Sequence, residues 1–450
     1  MAAWSQISTS NLVGSIRLDA EFWQPAYLTK EKVIRSGEHI ALGALVSTFK
    51  KGIFYILARE YADKGVPFYR SSNVGTILPK EEGLAFITPA KHREEYKTAL
   101  ETGDLMMVKT GRSGASVVLV RHCNVSQDVI AVKVRRERVN PYFLALYLNT
   151  SFGSSEMNRW FQGQVQPHLS LEDARRIWIA LVPDKVQVEI ETMVKNSARL
   201  RNEAEEAYAK SKQLLEAELG LDKLTFQKPV GYTARFSDLE LSRRFDSEHY
   251  YPAFDNMKEK LPKHVQLAPL GSFLTFCRRG KQPIYSESGL PVLNSKHILE
   301  NKITLEGNRY AKPNAESGLQ IQYGDVLING TGRGTIGRTA PYLVNEHQAI
   351  PDNHVTILRS PVLDPAYLSF YLNSQAGKLQ VEKHQRGSSG QLELYPFDVR
   401  KFQVWGAPQS IQHEIRRLYE RAIESAKRSR ELLEQSKSRV ERLIEEGAQS

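Results

Sequence analysis

The chain has 450 residues, 41% of them hydrophobic and 25% charged, a composition typical of a folded protein long enough for two or three domains. No run of about 20 apolar residues and no basic-then-apolar start is present, so we expect neither a membrane span nor a secretory signal. Lys and Arg outnumber Asp and Glu by 61 to 51, and the net charge of +10 favours an anionic partner such as nucleic acid.

The cysteines and histidines predict neither a disulfide framework nor a metal site. Only Cys123 and Cys277 occur, one in each half of the chain. The histidines, His168 and His384 among them, are scattered without ligand spacing. We therefore expect a protein of the reducing cytoplasm that binds no metal.

The chain is a tandem repeat. Six segments of the first half recur in the same order in the second half, 221 to 228 residues later. They are an Asp-x-Glu–aromatic–Pro segment (19–25 and 246–252), Lys51-Gly52 and Arg279-Gly280, Gly103-Asp104 and Gly324-Asp325, Thr110-Gly111-Arg112 and Thr331-Gly332-Arg333, segments 140–149 and 364–373, and a Pro-x-x-x-Gln-x-x-Ile set (183–190 and 408–415). Six collinear matches indicate two copies of one fold, with loop insertions between the matches.

Each copy begins with short strands between glycines and prolines and ends in a long charged helix. We predict strands at 105–108 and 326–328. We predict helices at 185–219, with six basic and seven acidic residues, and at 410–446, with nine basic and eight acidic residues. Because both helices are nearly neutral, the positive excess belongs to the globular regions.

Core positions along both helices follow an alternating spacing of three and four residues, with Ala and Ser at the middle positions. The apolar and Ala members are Ile190, Met193, Leu200, Ala204, Ala207, Leu214, Ile415, Leu418, Ala422 and Leu432. This period with charged flanks predicts an antiparallel coiled-coil pair, in which the small residues allow close approach. The alternative is that each helix packs on its own sheet.

The predicted fold class is α+β, with two tandem mixed α/β domains, long antiparallel coiled-coil helices and internal pseudo-two-fold symmetry. The boundaries are residues 1–182 and 226–407 for the domains and 183–225 and 408–450 for the helical segments. At 1.5 Å per residue each helix is roughly 50 Å long. We expect these helices to space the domains by more than one turn of DNA, roughly 34–36 Å.

Two enzyme-like motifs are better explained as structural features. Gly332-Arg333-Gly334-Thr335-Ile336-Gly337 matches a dinucleotide-binding pattern, but the following Arg338-Thr339-Ala340-Pro341 predicts a strand where a nucleotide site requires a helix. Asp364-Pro365-Ala366-Tyr367 is similar to an adenine-methyltransferase motif, yet its counterpart Asn140-Pro141 favours an N-cap followed by Pro at the first helical position. We therefore predict no cofactor site and no catalytic residue in this chain.

The order of these motifs carries a family resemblance. A Gly-Asp turn leads into an apolar strand, a Gly-rich segment, a Tyr-Leu-Asn helix and a Pro-x-x-x-Gln-x-x-Ile helix start, and the whole unit is repeated. This arrangement resembles the specificity subunit of type I restriction–modification enzymes over essentially all 450 residues. The resemblance implies two target recognition domains, each binding half of a split DNA sequence. It also implies two methyltransferase subunits and motor–nuclease subunits as partners in phage defence.

We predict that basic and amide residues in glycine-punctuated loops contact double-stranded DNA. Arg and Lys bind guanine edges, and Asn and Gln bind adenine edges. The candidates are Lys50, Lys51, Arg70, Lys109, Arg112, Gln164 and Gln166 in the first copy, and Arg278, Arg279, Lys281, Lys296, Arg333, Arg386 and Gln391 in the second. For each candidate the alternative is a solvated surface side chain.

Other functions remain open at this point. One is a self-sufficient DNA methyltransferase or nuclease with diverged motifs, which binding of a cofactor to the isolated chain would support. Another is a scaffold that pairs through its helices, for which weak, salt-insensitive DNA binding would argue. A third is the same architecture as the DNA-recognition subunit of another phage-defence assembly.

Overall fold

The structure is a computed structural model that describes residues 5–9, 12, 17–111, 113–163, 165–226, 230–312, 319–344, 348–387 and 392–448. The chain divides into two compact units. The first unit comprises Met1–Asn202 and Ser425–Ser450, and the second unit comprises Glu203–Glu424. Both boundaries fall inside the two long helices, so each unit contains part of each helix.

The helices and strands follow the predicted order. The described helices are α1 (Pro25–Ser36), α2 (Leu42–Leu45), α3 (Pro89–Glu94), α4 (Pro141–Leu148), α5 (Ser151–Trp160), α6 (Leu171–Arg175), α7 (Asp184–Glu218), α8 (Phe236–Ser242), α9 (Ala253–Glu259), α10 (Pro365–Asn373), α11 (Gln375–His384), α12 (Pro396–Val399) and α13 (Gln409–Gly447). The strands of the first unit are β1 (His39–Ala41), β2 (Val46–Lys51), β3 (Tyr61–Ala62), β4 (Val66–Tyr69), β5 (Ala85–Ile87), β6 (Leu100–Glu101), β7 (Leu105–Val108), β8 (Ala115–Val117), β9 (His122–Val125), β10 (Val129–Val134) and β11 (Trp178–Ala180). Those of the second are β12 (Leu267–Pro269), β13 (Phe276–Arg279), β14 (Tyr285–Ser286), β15 (Leu290–Leu293), β16 (Ile298–Leu299), β17 (Lys302–Ile303), β18 (Tyr310–Ala311), β19 (Val326–Asn329), β20 (Thr339–Pro341), β21 (Ile350–Pro351), β22 (Val355–Arg359) and β23 (Gln403–Trp405).

Both units contain the same central sheet. The first has four antiparallel strands in the order β2-β10-β7-β8, and the second has four in the order β13-β22-β19-β20. A two-stranded antiparallel pair, β1-β11 or β12-β23, accompanies each sheet. Every residue of β7 and of β19 is buried, because their apolar runs have core on both faces. The predicted α+β fold and its internal repeat are confirmed.

The two copies differ in the strands inserted between the shared elements. The first unit adds a five-stranded sheet in the order β3-β5-β4-β9-β6, whereas the second adds a sheet in the order β14-β18-β15-β21 and the pair β16-β17. These insertions fall where the spacing between the repeated motifs changes.

The Gly of each repeated basic-Gly pair is required by close packing. The Gly52 amide donates to the Val129 carbonyl at 3.0 Å, and the Gly280 amide donates to the Val355 carbonyl at 2.8 Å. A Cβ at Gly52 would lie 2.3 Å from the Ser126 carbonyl oxygen, and one at Gly280 would lie 2.2 Å from a backbone carbonyl. Neither position can accept a side chain without backbone movement.

The repeated Gln joins the long helix to the short helix that precedes it. Asn140 caps α4 by accepting from the Tyr142 and Phe143 amides, which confirms the predicted helix start. The Gln187 Oε1 accepts from the Asn140 amide at 2.9 Å, and its Nε2 donates to the Val182 carbonyl at 3.0 Å.

The second unit repeats this arrangement atom for atom. Asp364 caps α10 by accepting from the Ala366 and Tyr367 amides. The Gln412 Oε1 accepts from the Asp364 amide at 2.7 Å, and its Nε2 donates to the Ala407 carbonyl at 2.8 Å. The motifs that reveal the repeat in the sequence therefore build the scaffold.

The long helices pair within the first unit through small residues. The Ser197 Oγ donates to the Ser429 carbonyl at 2.9 Å, and the Ser429 Oγ donates to the Ser197 carbonyl at 2.8 Å. Farther along, the Ser436 Oγ contacts the Met193 sulfur at 3.5 Å. Because the partners run in opposite directions along the sequence, the pair is antiparallel. A hydroxyl can reach the opposite backbone only where two helices approach closely.

The same helices also contribute residues to the globular cores. The predicted interface residues are mostly buried: Ile190, Ala204, Ala207, Ile415, Leu418 and Ala422 are buried, whereas Met193, Leu200, Leu214 and Leu432 are half-buried. A second face of each helix contributes to the core of its unit, with Val194 and Val440 in the first and Leu215 and Tyr419 in the second. Among the described residues, no helix is long and apolar enough to cross a membrane.

Candidate nucleic-acid interface

One edge of each central sheet brings several predicted residues together. In the first unit, Lys51 at the end of β2 pairs with Ile130, and Val108 at the end of β7 pairs with Val129. The two strands lie on either side of β10, and both end beside its first residues, at the same end of the sheet. In the second unit, β13 ends at Arg279 and β19 ends at Asn329 on either side of β22, again beside its first residues. We call this end of each sheet the strand-end edge.

A hairpin is attached to the strand-end edge in both units. In the first, Gln162 pairs with His168, and His168 also bridges to Thr110. The Gly111 amide donates to the Pro167 carbonyl at 2.9 Å, and the Leu169 amide donates to the Lys109 carbonyl at 2.8 Å. The hairpin is therefore fixed to the loop that follows β7.

The second unit has the equivalent hairpin. Arg386 pairs with Glu393 through two backbone hydrogen bonds of 2.7 and 2.8 Å, and Glu393 bridges to Thr331. The Leu394 amide donates to the Gly330 carbonyl at 2.8 Å. Each predicted Gly-rich loop thus lies beside a hairpin that is distant from it in the sequence, and the sequence alone did not predict this contact.

The predicted residues of the first unit lie on or beside this edge. Lys50, Lys51 and Gln166 are exposed, and Lys109 is half-buried next to the hairpin. Arg70 is also exposed, and its Nη2 donates to the Gly83 carbonyl at 2.7 Å. Arg112 and Gln164 lie outside the described residues.

Exposed aromatic side chains, which the sequence interpretation missed, lie beside Lys51. Phe54 is 74% exposed, and the Lys51 ammonium lies 5.0 Å from its ring centroid. Phe54, Tyr61 and Arg70 help to line a depression of about 330 Å³. Aromatic faces and Arg together provide surfaces on which bases stack. The signal in the sequence is the aromatic pair Phe54-Tyr55, which is separated from the close-packed Gly52 by Ile53.

In the second unit, four of the predicted residues are exposed. They are Arg278, Lys281, Lys296 and Arg333. The Arg278 guanidinium lies 5.4 Å from the Phe276 ring centroid, and the Lys296 Nζ donates to the Gly307 carbonyl at 3.2 Å. Arg333 lies between Gly332 and Gly334, both in the left-handed region that favours glycine.

Two other predicted arginines form ion pairs. The Arg386 Nε and Nη2 donate to the two carboxylate oxygens of Asp398 at 2.7 and 3.1 Å, and only 1% of the Asp398 side chain is exposed. The Arg279 Nη2 donates to the Gly330 carbonyl at 2.9 Å, and its Nη1 lies 3.4 Å from Glu393. These contacts give both arginines a role in hairpin structure, and contact with DNA stays a prediction. Gln391 lies outside the described residues.

Among the residues that the structure describes, no group of three His, Cys, Asp or Glu side chains could hold a metal ion. Burial raises the pKa of the Cys277 thiol to about 11 and also raises that of Cys123, so neither thiol is activated. The Gly332–Gly337 segment is followed by strand β20, as predicted, and not by a helix.

Comparisons with known proteins give likenesses among solved structures only. No protein-family model and no curated protein matches this sequence. The chain is similar to the type I restriction–modification system S subunit from M. genitalium, with 10% identity and a TM-score of 0.49, over 91% of this chain and 95% of that one. It is similar to the HsdS subunit from Thermoanaerobacter tengcongensis, with 14% identity and a TM-score of 0.27, over 91% and 97%. A structure describing assembly and conformational transition of the type I R-M system shows 15% identity and a TM-score of 0.33, over 92% and 97%.

Proposed function

We propose that this chain is the specificity subunit of a type I restriction–modification complex, and that it has no catalytic activity of its own. Each globular unit binds one half of a two-part sequence in double-stranded DNA. Two separate methyltransferase subunits bind S-adenosylmethionine and transfer its methyl group to DNA. Motor–nuclease subunits carry out restriction. The chain itself takes no cofactor.

The observation that carries this proposal is the duplicated strand-end edge. Each copy places a Gly-containing loop, a hairpin and the basic end of a strand side by side on one scaffold. Two binding surfaces with the same framework and different side chains are what a protein needs to bind two different half-sites. The repeated Gln and N-cap residues maintain the common framework.

The composition of the edge fits DNA better than another anion. Exposed Lys and Arg supply phosphate contacts, and amide, guanidinium and carboxylate groups supply contacts to base edges. Several of these groups are held by backbone hydrogen bonds, as for the guanidinium of Arg279. Such groups lose less conformational freedom on binding than flexible surface lysines do.

The direct test is a methylation assay with the full chain, alone and co-purified with the methyltransferase encoded beside it. Transfer of labelled methyl groups to DNA is expected only from the co-purified complex. Methylation by the chain alone would contradict the proposal and support a self-sufficient methyltransferase. An intact complex whose DNA binding is weak and insensitive to salt would also contradict it, and would favour the scaffold, because phosphate contacts make binding strongly salt-dependent.

A further inference from the structure

An acidic side chain lies within the basic strand-end edge of the second unit. The carboxylate of Glu393 is 3.4 Å from the Arg279 guanidinium, and 38% of its side chain is exposed. Arg278 and Arg333, exposed and basic, belong to the same edge. A carboxylate on a surface that binds only phosphates would weaken binding by repulsion. Its presence therefore requires another explanation.

The Arg279–Glu393 pair is held in place from both sides. Arg279 donates to the Gly330 carbonyl, and its guanidinium lies 5.3 Å from the ring centroid of Tyr395. The backbone of Glu393 is fixed by its two hydrogen bonds to Arg386. A hydrogen bond from the Tyr395 hydroxyl, together with the charge of Arg279, lowers the pKa of Glu393, so it is an ionised acceptor.

The pair presents donors and an acceptor side by side. A guanidinium has five N–H donors, and the contacts to Gly330 and Glu393 use one on each terminal nitrogen. Each terminal nitrogen of Arg279 therefore has a second hydrogen that these two contacts do not use, and 18% of the Arg279 side chain is exposed. The Glu393 carboxylate has about four lone-pair sites, so it can accept a further bond beside its contact with Arg279.

In the major groove, a G·C pair presents two acceptors, guanine N7 and O6, beside one donor, the cytosine N4 amino group. We propose that Arg279 and Glu393 together recognise a G·C base pair in the half-site bound by the second unit. Arg279 donates to N7 and O6, and Glu393 accepts from N4. An A·T pair does not match this arrangement. Adenine presents one acceptor, N7, beside one donor, the N6 amino group, and thymine presents an acceptor oxygen and a methyl group. This inference rests on the proposed function, since it assigns a base to a surface proposed to bind DNA.

The first unit provides an internal comparison. Lys51 is the counterpart of Arg279 in the repeat, and His168 is the counterpart of Glu393, because each bridges to the Thr of the Gly-rich loop. Neither position forms a carboxylate–guanidinium pair. We therefore expect the first half-site to lack this mode of recognition.

The test is selection of binding sites from a randomised DNA library by the complex of the full chain with its methyltransferase. The variants are Glu393→Gln and Arg279→Lys, and the matched control is His168→Gln at the equivalent position of the first unit. For the wild type we expect a G·C pair at a position of one half-site. Arg279→Lys should reduce discrimination at that position roughly tenfold or more, because a good bidentate contact discriminates by about that factor. Glu393→Gln should reduce discrimination at the same position, because it removes the charged acceptor proposed for the cytosine amino group. The other positions should not change.

Other results would overturn the inference. Either variant could lose affinity equally for all sequences and keep its base preference. That result would mean that the pair contacts a phosphate or maintains the hairpin structure. A change at the same position in His168→Gln would assign that base to the first unit. A wild-type complex that selects no two-part motif would instead contradict the proposed function. Thermal melting of each variant separates loss of recognition from loss of folding, because only a variant that stays folded at the temperature of the selection reports on base preference.

Discussion

The close helix crossing in the first unit gives a prediction whose size follows from the structure. Ser197 and Ser429 are buried, and each donates its hydroxyl to the carbonyl of the other at 2.8–2.9 Å. Ser429→Leu would add three carbon atoms where a hydroxyl already fills the space, which costs about 1–3 kcal/mol in overpacking. The substitution also removes the hydrogen bond that the Ser429 hydroxyl donates to the Ser197 carbonyl, which adds about 0.5–1.5 kcal/mol. We expect the free energy of unfolding to fall by about 1.5–4.5 kcal/mol, the sum of these two costs.

The assay is urea unfolding of the full chain followed by circular dichroism, with Ser438→Leu on the exposed face of the same helix as control. The control should lie within about 0.5 kcal/mol of the wild type. The double variant with Ala at Ser197 and Ser429 should lose little, because Ala422 and Ala204 occupy the equivalent positions of the second copy. A Ser429→Leu protein as stable as the control would refute the close crossing.

Three further predictions follow from the described contacts. Arg386→Ala leaves the buried Asp398 carboxylate without its bidentate partner, so the melting temperature of the protein should fall. Arg333→Ala is the control and should leave the melting temperature unchanged. Equal melting temperatures for the two variants would contradict the structural role of Arg386. Arg333→Ala should instead weaken binding to DNA. If Arg333 contacts a phosphate, the variant should also reduce the slope of log affinity against log salt concentration by about 1. An unchanged slope and an unchanged affinity would place Arg333 outside the interface. Burial raises the pKa of Glu156 to about 7, so the folded state favours its protonated form, and this stabilisation is lost as the pH rises through 7. Glu156→Gln should therefore melt higher than the wild type at pH 8 and equally at pH 5, and the reverse order would refute the assigned direction.

Local and periodic features of the sequence were sufficient to predict the scaffold. The long helices begin and end within one residue of the predicted bounds, because charge, helix propensity and the spacing of small residues all agree over many turns. The N-cap at Asn140 was predictable because the residues it contacts are two and three positions away. The strand after the Gly-rich segment was predicted from the whole segment 338–342, which follows the glycines as a turn into a strand.

The side-chain pairs of the candidate site were beyond such prediction. Glu393 and Arg279 are 114 residues apart, and only closure of the hairpin on the strand-end edge brings them together. Arg386 was selected for its charge, whereas its partner Asp398 lies on a separate helix. Phe54 was missed because a hydrophobic residue after a strand is expected in the core. Without the register of the sheet, exposure at such positions cannot be assigned from residue type.

The central claim is that one chain binds two half-sites, one with each unit. It is tested most directly by determining the sequences that the co-purified complex selects from a randomised DNA library, for the wild type and for Arg279→Lys. The account predicts a two-part motif with a fixed gap, in which the variant weakens selection in one half and leaves the other half unchanged. A single continuous motif, or the absence of any enriched sequence from a folded complex, would contradict it.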